Sequence, residues 1–136
     1  PSPNDMRSAA NAWLQYAKKI EDKSNDYGAT RDALIKANGG TTDLGTIAAC
    51  EAAVCREMSI FGSLSFSELG YTTRVVTGDI GGGGHAWIEF LDPKTNQVIG
   101  LVDNNYTRKF YSNPADYYRE TGAVPRSYTT VAKPGH

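Results

Sequence analysis

Apolar residues in the first part of the chain recur at steps of three and four. Met6, Ala9, Ala10, Trp13, Leu14, Ala17 and Ile20 fall on one stripe, and Lys18, Lys19, Asp22 and Lys23 fall outside it. That spacing predicts an amphipathic helix with one buried face. Ser2 and Asn4 are capping residues at its start, and Pro3 is tolerated in a first turn. Asn25-Asp26-Tyr27-Gly28 reads as a turn, and Ala29 to Ala37 as a short second helix stopped by Asn38-Gly39-Gly40. Thr41 to Thr46 is polar and reads as a loop. A third helical pattern covers about Ile47 to Leu69, through Ala48, Ala52, Cys55, Met58, Phe61 or Gly62, Phe66 and Leu69. Gly62 and the serines at 59, 63, 65 and 67 weaken it, and Gly70 ends it.

After Gly70 the period changes from helical to alternating. Tyr71 to Thr77 is β-branched and aromatic, which predicts a strand. Gly78 to Gly84, with four consecutive glycines, reads as a loop. His85 to Leu91 reads as a second strand, Asp92-Pro93-Lys94-Thr95-Asn96 as a hairpin turn, and Gln97 to Val102 as a third strand ending at Asp103. Asn113 caps a short helix from Pro114 through Glu120, and Ser127 to Ala132 is a candidate last strand. Helices first and an antiparallel sheet second imply an α+β fold, with the N-terminal helices packed on a small antiparallel sheet. With no internal repeat and no linker, residues 1–136 read as a single domain.

Composition narrows the function classes. The 136 residues carry 14 Lys and Arg against 15 Asp and Glu, a formal net charge of −1. That balance argues against a phosphate-coating nucleic-acid binder and against a polybasic membrane anchor. No apolar run approaches the roughly 20 residues of a membrane span. The chain shows no signal peptide and does not begin with Met, so it reads as an excised domain or processed product, and its compartment is unknown. Cys50 and Cys55 are its two cysteines. Five positions apart on one helix, their Cα atoms would be about 8 Å apart, too far for a disulfide, so a bridge between them would require a non-helical local backbone. Only His85 and His136 could complete a zinc site with them. No metal and no cofactor are expected.

Three residues carry candidate chemistry. Cys55 lies in a helix, His85 opens the second strand and Asp103 closes the third. His85 is seven residues before the Asp92–Asn96 turn and Asp103 is seven after it, so a hairpin sets the two nearly opposite each other. An imidazole beside a thiol holds it as a thiolate, a strong nucleophile at neutral pH. A carboxylate on the far ring nitrogen fixes the tautomer and stabilises the imidazolium. A helix N-terminus beneath the cysteine would add N–H donors for an oxyanion, which requires a helix start near Ala53 or Val54 rather than Ile47. Taken singly, each residue has a bland explanation. A helical cysteine is by default a core residue, a histidine at a strand start a structural one, and Asp103 before Asn104-Asn105 a turn residue. The hairpin count, which pairs two of them independently, favours chemistry.

Ala53-Val54-Cys55-Arg56-Glu57, then Leu69 to Gly78, then His85-Ala86-Trp87-Ile88-Glu89-Phe90, then Leu101-Val102-Asp103, together resemble the transglutaminase-like core. The resemblance covers about Ala53 to Tyr106. It implies the fold of papain-like thiol enzymes, with Cys55 as nucleophile, His85 as general base and Asp103 as the orienting group. Departures are Ile99-Gly100-Leu101 where an aromatic, often Trp, is usual, Asn104-Asn105 where Pro-Thr is common, and the four-glycine run before His85. They bear on specificity more than on the triad. No motif assigns a second oxyanion donor.

Other features have simpler roles. The glycine run lacks a Walker lysine and precedes a strand, so it is not a phosphate cradle. It either lets a substrate backbone approach His85, which makes Gly84 a candidate substrate contact, or simply moves. Trp87 shares the face of His85 and either walls the site as a substrate contact or packs on the helix bearing Cys55, with packing favoured. Arg74 is expected in a structural ion pair beneath the sheet, and Cys50 in the core or as a second thiol. The cluster Asn104, Asn105, Tyr106, Tyr111, Tyr117 and Tyr118 suits a sheet edge or a protein-binding rim.

The resemblance implies attack by Cys55 on an amide carbonyl to give a thioester, resolved by water or an amine. A glutamine side chain as substrate gives deamidation or crosslinking, and a backbone amide gives proteolysis. The glutamine reaction on a protein or peptide substrate is favoured, because the Q-G-x-C-G-x-C-W pattern of papain is absent. The alternatives are a cysteine protease, a catalytically silent protein-binding module of the same fold, and a metal site of Cys50, Cys55 and His85. Compact cores of this kind occur in bacterial toxin and effector domains, an analogy that implies a secreted or delivered effector. An inhibitor or immunity partner follows from that analogy and from no residue of the chain.

Overall fold

Helix α1 (Pro3–Lys23) forms where the three- and four-residue steps predict it, and its stripe of Met6, Ala10, Trp13 and Ala17 is buried. The computed structural model describes residues 3–23 and 44–131. The expected turn at Asn25–Gly28, the helix from Ala29 to Ala37 and the first part of the Thr41–Thr46 loop lie outside the described residues. Helix α2 (Leu44–Glu68) starts three residues before Ile47 and runs unbroken through Gly62.

The serines that weaken α2 as an isolated helix are what let it lie close on the sheet. Ser59, Ser63 and Ser67 are buried along one face with Phe66, and the Ser63 hydroxyl hydrogen-bonds that of Thr73. Gly62 serves the same close approach. A Cβ there would sit 2.6 Å from Trp13 Cε2 and 2.9 Å from Ile88 Cδ1. Phe61 and Leu69, expected on the buried stripe, are instead exposed. Phe61 stacks on Tyr16 of α1 with ring centroids 6.1 Å apart.

Strands β1 (Thr72–Ile80), β2 (Gly83–Leu91), β3 (Val98–Asp103), β4 (Lys109–Tyr111) and β5 (Val124–Thr130) form one sheet in the order β4-β3-β2-β1-β5, with every pairing antiparallel. The fold is α+β, helices with a small five-stranded antiparallel sheet. The predicted glycine loop does not exist as a loop. β1 continues to Ile80, Ile80 pairs with Gly83, and only Gly81 and Gly82 turn, at φ 58° and 83°. Two positive-φ residues match the right-handed twist of the flanking strands, and glycine adopts them without strain, so the hairpin closes tightly. β4 has no clear periodic signal because it is only three residues long. β5 begins earlier than Ser127 and ends before Ala132.

Both faces of the sheet are covered. Ile88, Phe90 and Val102 pack with Trp13 and Phe66 on the α1 and α2 side. Val76, Trp87 and Leu101 pack with Tyr111 and Tyr117 on the other, closed by helix α3 (Pro114–Thr121). α3 has the predicted ends. The Asn113 side chain accepts from Ala115 N, and Gly122 caps the C-terminus in the left-handed region. Coverage from both sides explains why β2 is buried continuously from His85 to Leu91 instead of alternating.

Gly62→Ala is expected to destabilise the protein. In an exposed helix alanine would gain about 1 kcal/mol over glycine. Here the added methyl meets two packed side chains, and overpacking costs typically about 1–3 kcal/mol. A lower urea midpoint with an unchanged slope is the expected result.

Candidate active site

Asp103 ends β3 with its side chain wholly buried. A carboxylate taken out of water must find compensating hydrogen bonds, and Asp103 has four. Oδ1 accepts the backbone N–H groups of Asn105 at 3.0 Å and Tyr106 at 2.8 Å. Oδ2 accepts the Tyr117 hydroxyl at 2.7 Å and meets His85 Nε2 at 2.9 Å. Burial by itself raises the carboxyl pKa. The hydrogen bond and charge of His85, the Tyr106 amide and the Tyr117 hydroxyl outweigh it and hold Asp103 below the ordinary carboxylate value. An ionised carboxylate can only accept, so Nε2 carries the proton in this contact.

His85 and Asp103 therefore meet, but not by the cross-strand pairing that the count from the turn predicts. Ile88 pairs with Val102, Phe90 with Gly100 and Leu91 with Val98, with a bulge between Phe90 and Leu91. Continuing the register one step sets Asp103 against Trp87, two residues from His85. The contact is diagonal, within reach of long side chains. A slip of two residues keeps both groups on one face, whereas a slip of one would have put Asp103 on the other.

His85 is 8% exposed. Its ring lies 6.0 Å from that of Trp87 at 27°, and 5.8 Å from that of Tyr106 edge-on. Trp87 is wholly buried and packs against Tyr117 and Tyr118 of α3, on the face opposite α2. Both expected roles are thereby corrected. Trp87 does not pack on the helix bearing Cys55, and it offers no surface to a substrate because the imidazole and α3 enclose it. Gly84 is exposed beside His85, within β2 rather than in a loop. Tyr106, 60% exposed, is the large side chain at the rim of the imidazole.

A second polar chain lies behind the first. Trp87 Nε1 donates to the Tyr118 hydroxyl at 3.0 Å, which donates to Glu89 Oε2 at 2.9 Å, and Arg74 Nε reaches Glu89 Oε1 at 2.8 Å. The ion pair expected of Arg74 is this one. Burial, then the neighbouring Asp103, pushes the Tyr117 hydroxyl pKa up; burial, then Glu89, does the same for Tyr118. Both hydroxyls stay protonated and serve as donors. Asn104 ties the strand end to both long helices, with Oδ1 accepting Trp13 Nε1 and Nδ2 donating to Ser59 Oγ at 3.1 Å. Half of the aromatic-amide cluster after Asp103 is thus internal, with Asn104, Tyr111 and Tyr117 buried and Tyr106 exposed.

Cys55 lies inside α2, twelve residues on when Leu44 is counted as the first. The start near Ala53 that would set a helix N-terminus beneath it is not present. It precedes Ser59 by four residues, one helical turn. The side chains of Cys50 and Cys55 lie outside the described residues. Among the described residues no group of three His, Cys, Asp or Glu side chains is arranged to hold a metal ion, and no helix is long and apolar enough to cross a membrane.

Comparison with protein-family models finds no match, and neither curated proteins nor solved structures show a significant relative of the chain.

Asp103→Asn is expected to cost about 2–3 kcal/mol near neutral pH, where a charged acceptor of several hydrogen bonds is lost. Because folding lowers the Asp103 pKa, its contribution is complete above the unfolded value of about 3.9 and disappears as pH falls through the folded value. Urea midpoints of native and variant protein should therefore converge as the pH is lowered below about 4.

Proposed function

We propose that the chain is a thiol-dependent acyl-transfer enzyme of the transglutaminase-like, papain-related type, acting on glutamine side-chain amides of proteins through Cys55, His85 and Asp103. One observation carries this reading: the buried pair of His85 and Asp103, in which a fully hydrogen-bonded carboxylate holds Nε2 of the imidazole. The helix bearing Cys55 packs on the face of β2 opposite Trp87 and Tyr117, and its link to the pair runs round the end of β3, where Ser59, one turn after Cys55, bonds Asn104, the residue that follows Asp103.

In the proposed reaction the Cys55 proton passes to His85, and the thiolate attacks the amide carbon. The C–S bond forms, and the C–N bond breaks as the imidazolium returns the proton to the leaving ammonia. Water then hydrolyses the thioester to glutamate, with His85 as general base, or an amine takes the acyl group to form a crosslink. Asp103 stays ionised throughout and stabilises the imidazolium. Peptide-bond cleavage would use the same intermediate.

A second reading is a catalytically silent protein-binding module of the same fold. It draws on the place of Cys55 within α2, away from the free N–H groups of a helix start.

Iodoacetamide separates the two. Alkylation is followed from about pH 4 to about pH 9, with the peptides of Cys50 and Cys55 resolved by mass spectrometry. Rapid modification of Cys55 well below the ordinary thiol pKa of about 8.5, abolished in His85→Ala, is expected for the enzyme. Reaction only near that value would favour the silent module. Ammonia release or amine incorporation with a glutamine peptide then distinguishes deamidation from crosslinking.

A further inference from the structure

Helix α3 places two consecutive tyrosines on the two buried acids of the sheet. Tyr117 donates to Asp103 and Tyr118 to Glu89. Only the first touches the atom that holds the imidazole. The Tyr117 hydroxyl and His85 Nε2 share Oδ2, while Oδ1 is taken by two backbone amides. The carboxylate has little freedom to rotate, and the charge on Oδ2 is divided between a neutral donor and the imidazole.

We propose that Tyr117 is a positioning residue that sets the basicity of His85 by drawing on the charge of Asp103 Oδ2. The proposal rests on the reading of His85 as the general base. A hydrogen bond to a carboxylate oxygen disperses its charge. With the Tyr117 donor in place, Oδ2 stabilises the imidazolium less than a carboxylate bonded to His85 alone would, and the ring gives up its proton more readily to a leaving group. The other titratable groups around the pair stand differently. Tyr106 contributes its amide to Asp103, and its ring lies beside His85. Tyr111 of β4 faces Tyr117 and spends its hydroxyl on Glu120. Asp79 of β1, next to the residue paired with His85, is held by Arg126.

The chain has two histidines, His85 and His136, so proton–carbon NMR of the imidazoles gives one site resonance and an internal reference. In Tyr117→Phe the His85 titration is expected to move up by about half a unit to one unit, with His136 unmoved. Tyr118→Phe is the control. It removes a hydroxyl from the same helix and the same packed cluster without touching Asp103, and should leave the His85 titration in place. No shift in Tyr117→Phe, or an equal shift in both variants, overturns the proposal. In the unsubstituted protein the buried Tyr117 hydroxyl proton should resonate downfield and move as His85 titrates. A resonance indifferent to His85 overturns the proposal even if the variant does not fold. Iodoacetamide reactivity of Cys55 keeps the two readings apart. An unreactive Cys55 with a shifted His85 titration removes the enzyme and leaves the coupling. A reactive Cys55 with an unmoved His85 titration does the reverse.

Discussion

A carboxylate with no exposure to water has to be surrounded by donors, and the satisfaction of Asp103 organises much of the molecule. Its four partners come from three places. The turn after β3 supplies two amides, β2 supplies the imidazole, and α3 supplies the tyrosine hydroxyl. Each would leave an unmet charge if it moved, so the end of β3, the middle of the sheet and the short helix are held in one arrangement. The depressed pKa of Asp103 is the electrostatic sign that these donors outweigh the cost of burial.

Helix α3 is only eight residues long, yet it turns the second face of the sheet into a closed one. Tyr117 fills the centre of that cluster, and Trp87 packs between it and Tyr118 while stacking on His85. The Arg74–Glu89–Tyr118–Trp87 chain anchors the indole from behind. His85 thus has its orientation set twice, by a hydrogen bond at Nε2 and by an aromatic floor. On the opposite face Asn104 joins the end of β3 to Trp13 of α1 and Ser59 of α2. Asn104 after Asp103 therefore has a structural use, since an asparagine amide can satisfy both helices at once.

Much of this was legible in the residues. The repeat of Met6, Ala10, Trp13 and Ala17 places α1, and Asn113-Pro114 with Gly122 bounds α3. The alternation from Thr72 onward and the Asp92 turn place His85 and Asp103 on neighbouring strands. What misled were features whose meaning depends on the neighbour. Serines and a glycine read as helix weakeners, but they are the close-approach surface of α2. Four glycines read as a loop, but two of them extend β2 because β1 is there to pair with them. Trp87 read as a contact for substrate or for α2, but α3 occupies its face.

The sequence by itself determined the order of helices and strands and the shared face of His85 and Asp103, because helical and strand periods and turn chemistry are local properties of the chain. The tertiary structure decided the register and the partners. The pairing of Leu91 with Val98 at the turn and a bulge between Phe90 and Leu91 each shift the register by one residue and together make the His85–Asp103 contact diagonal. Tyr117, fourteen residues beyond Asp103, becomes its fourth donor only because α3 folds back over β3 and β4. Burial turns polar side chains into obligatory partners, and which groups are buried together follows from packing between elements, which no local pattern encodes.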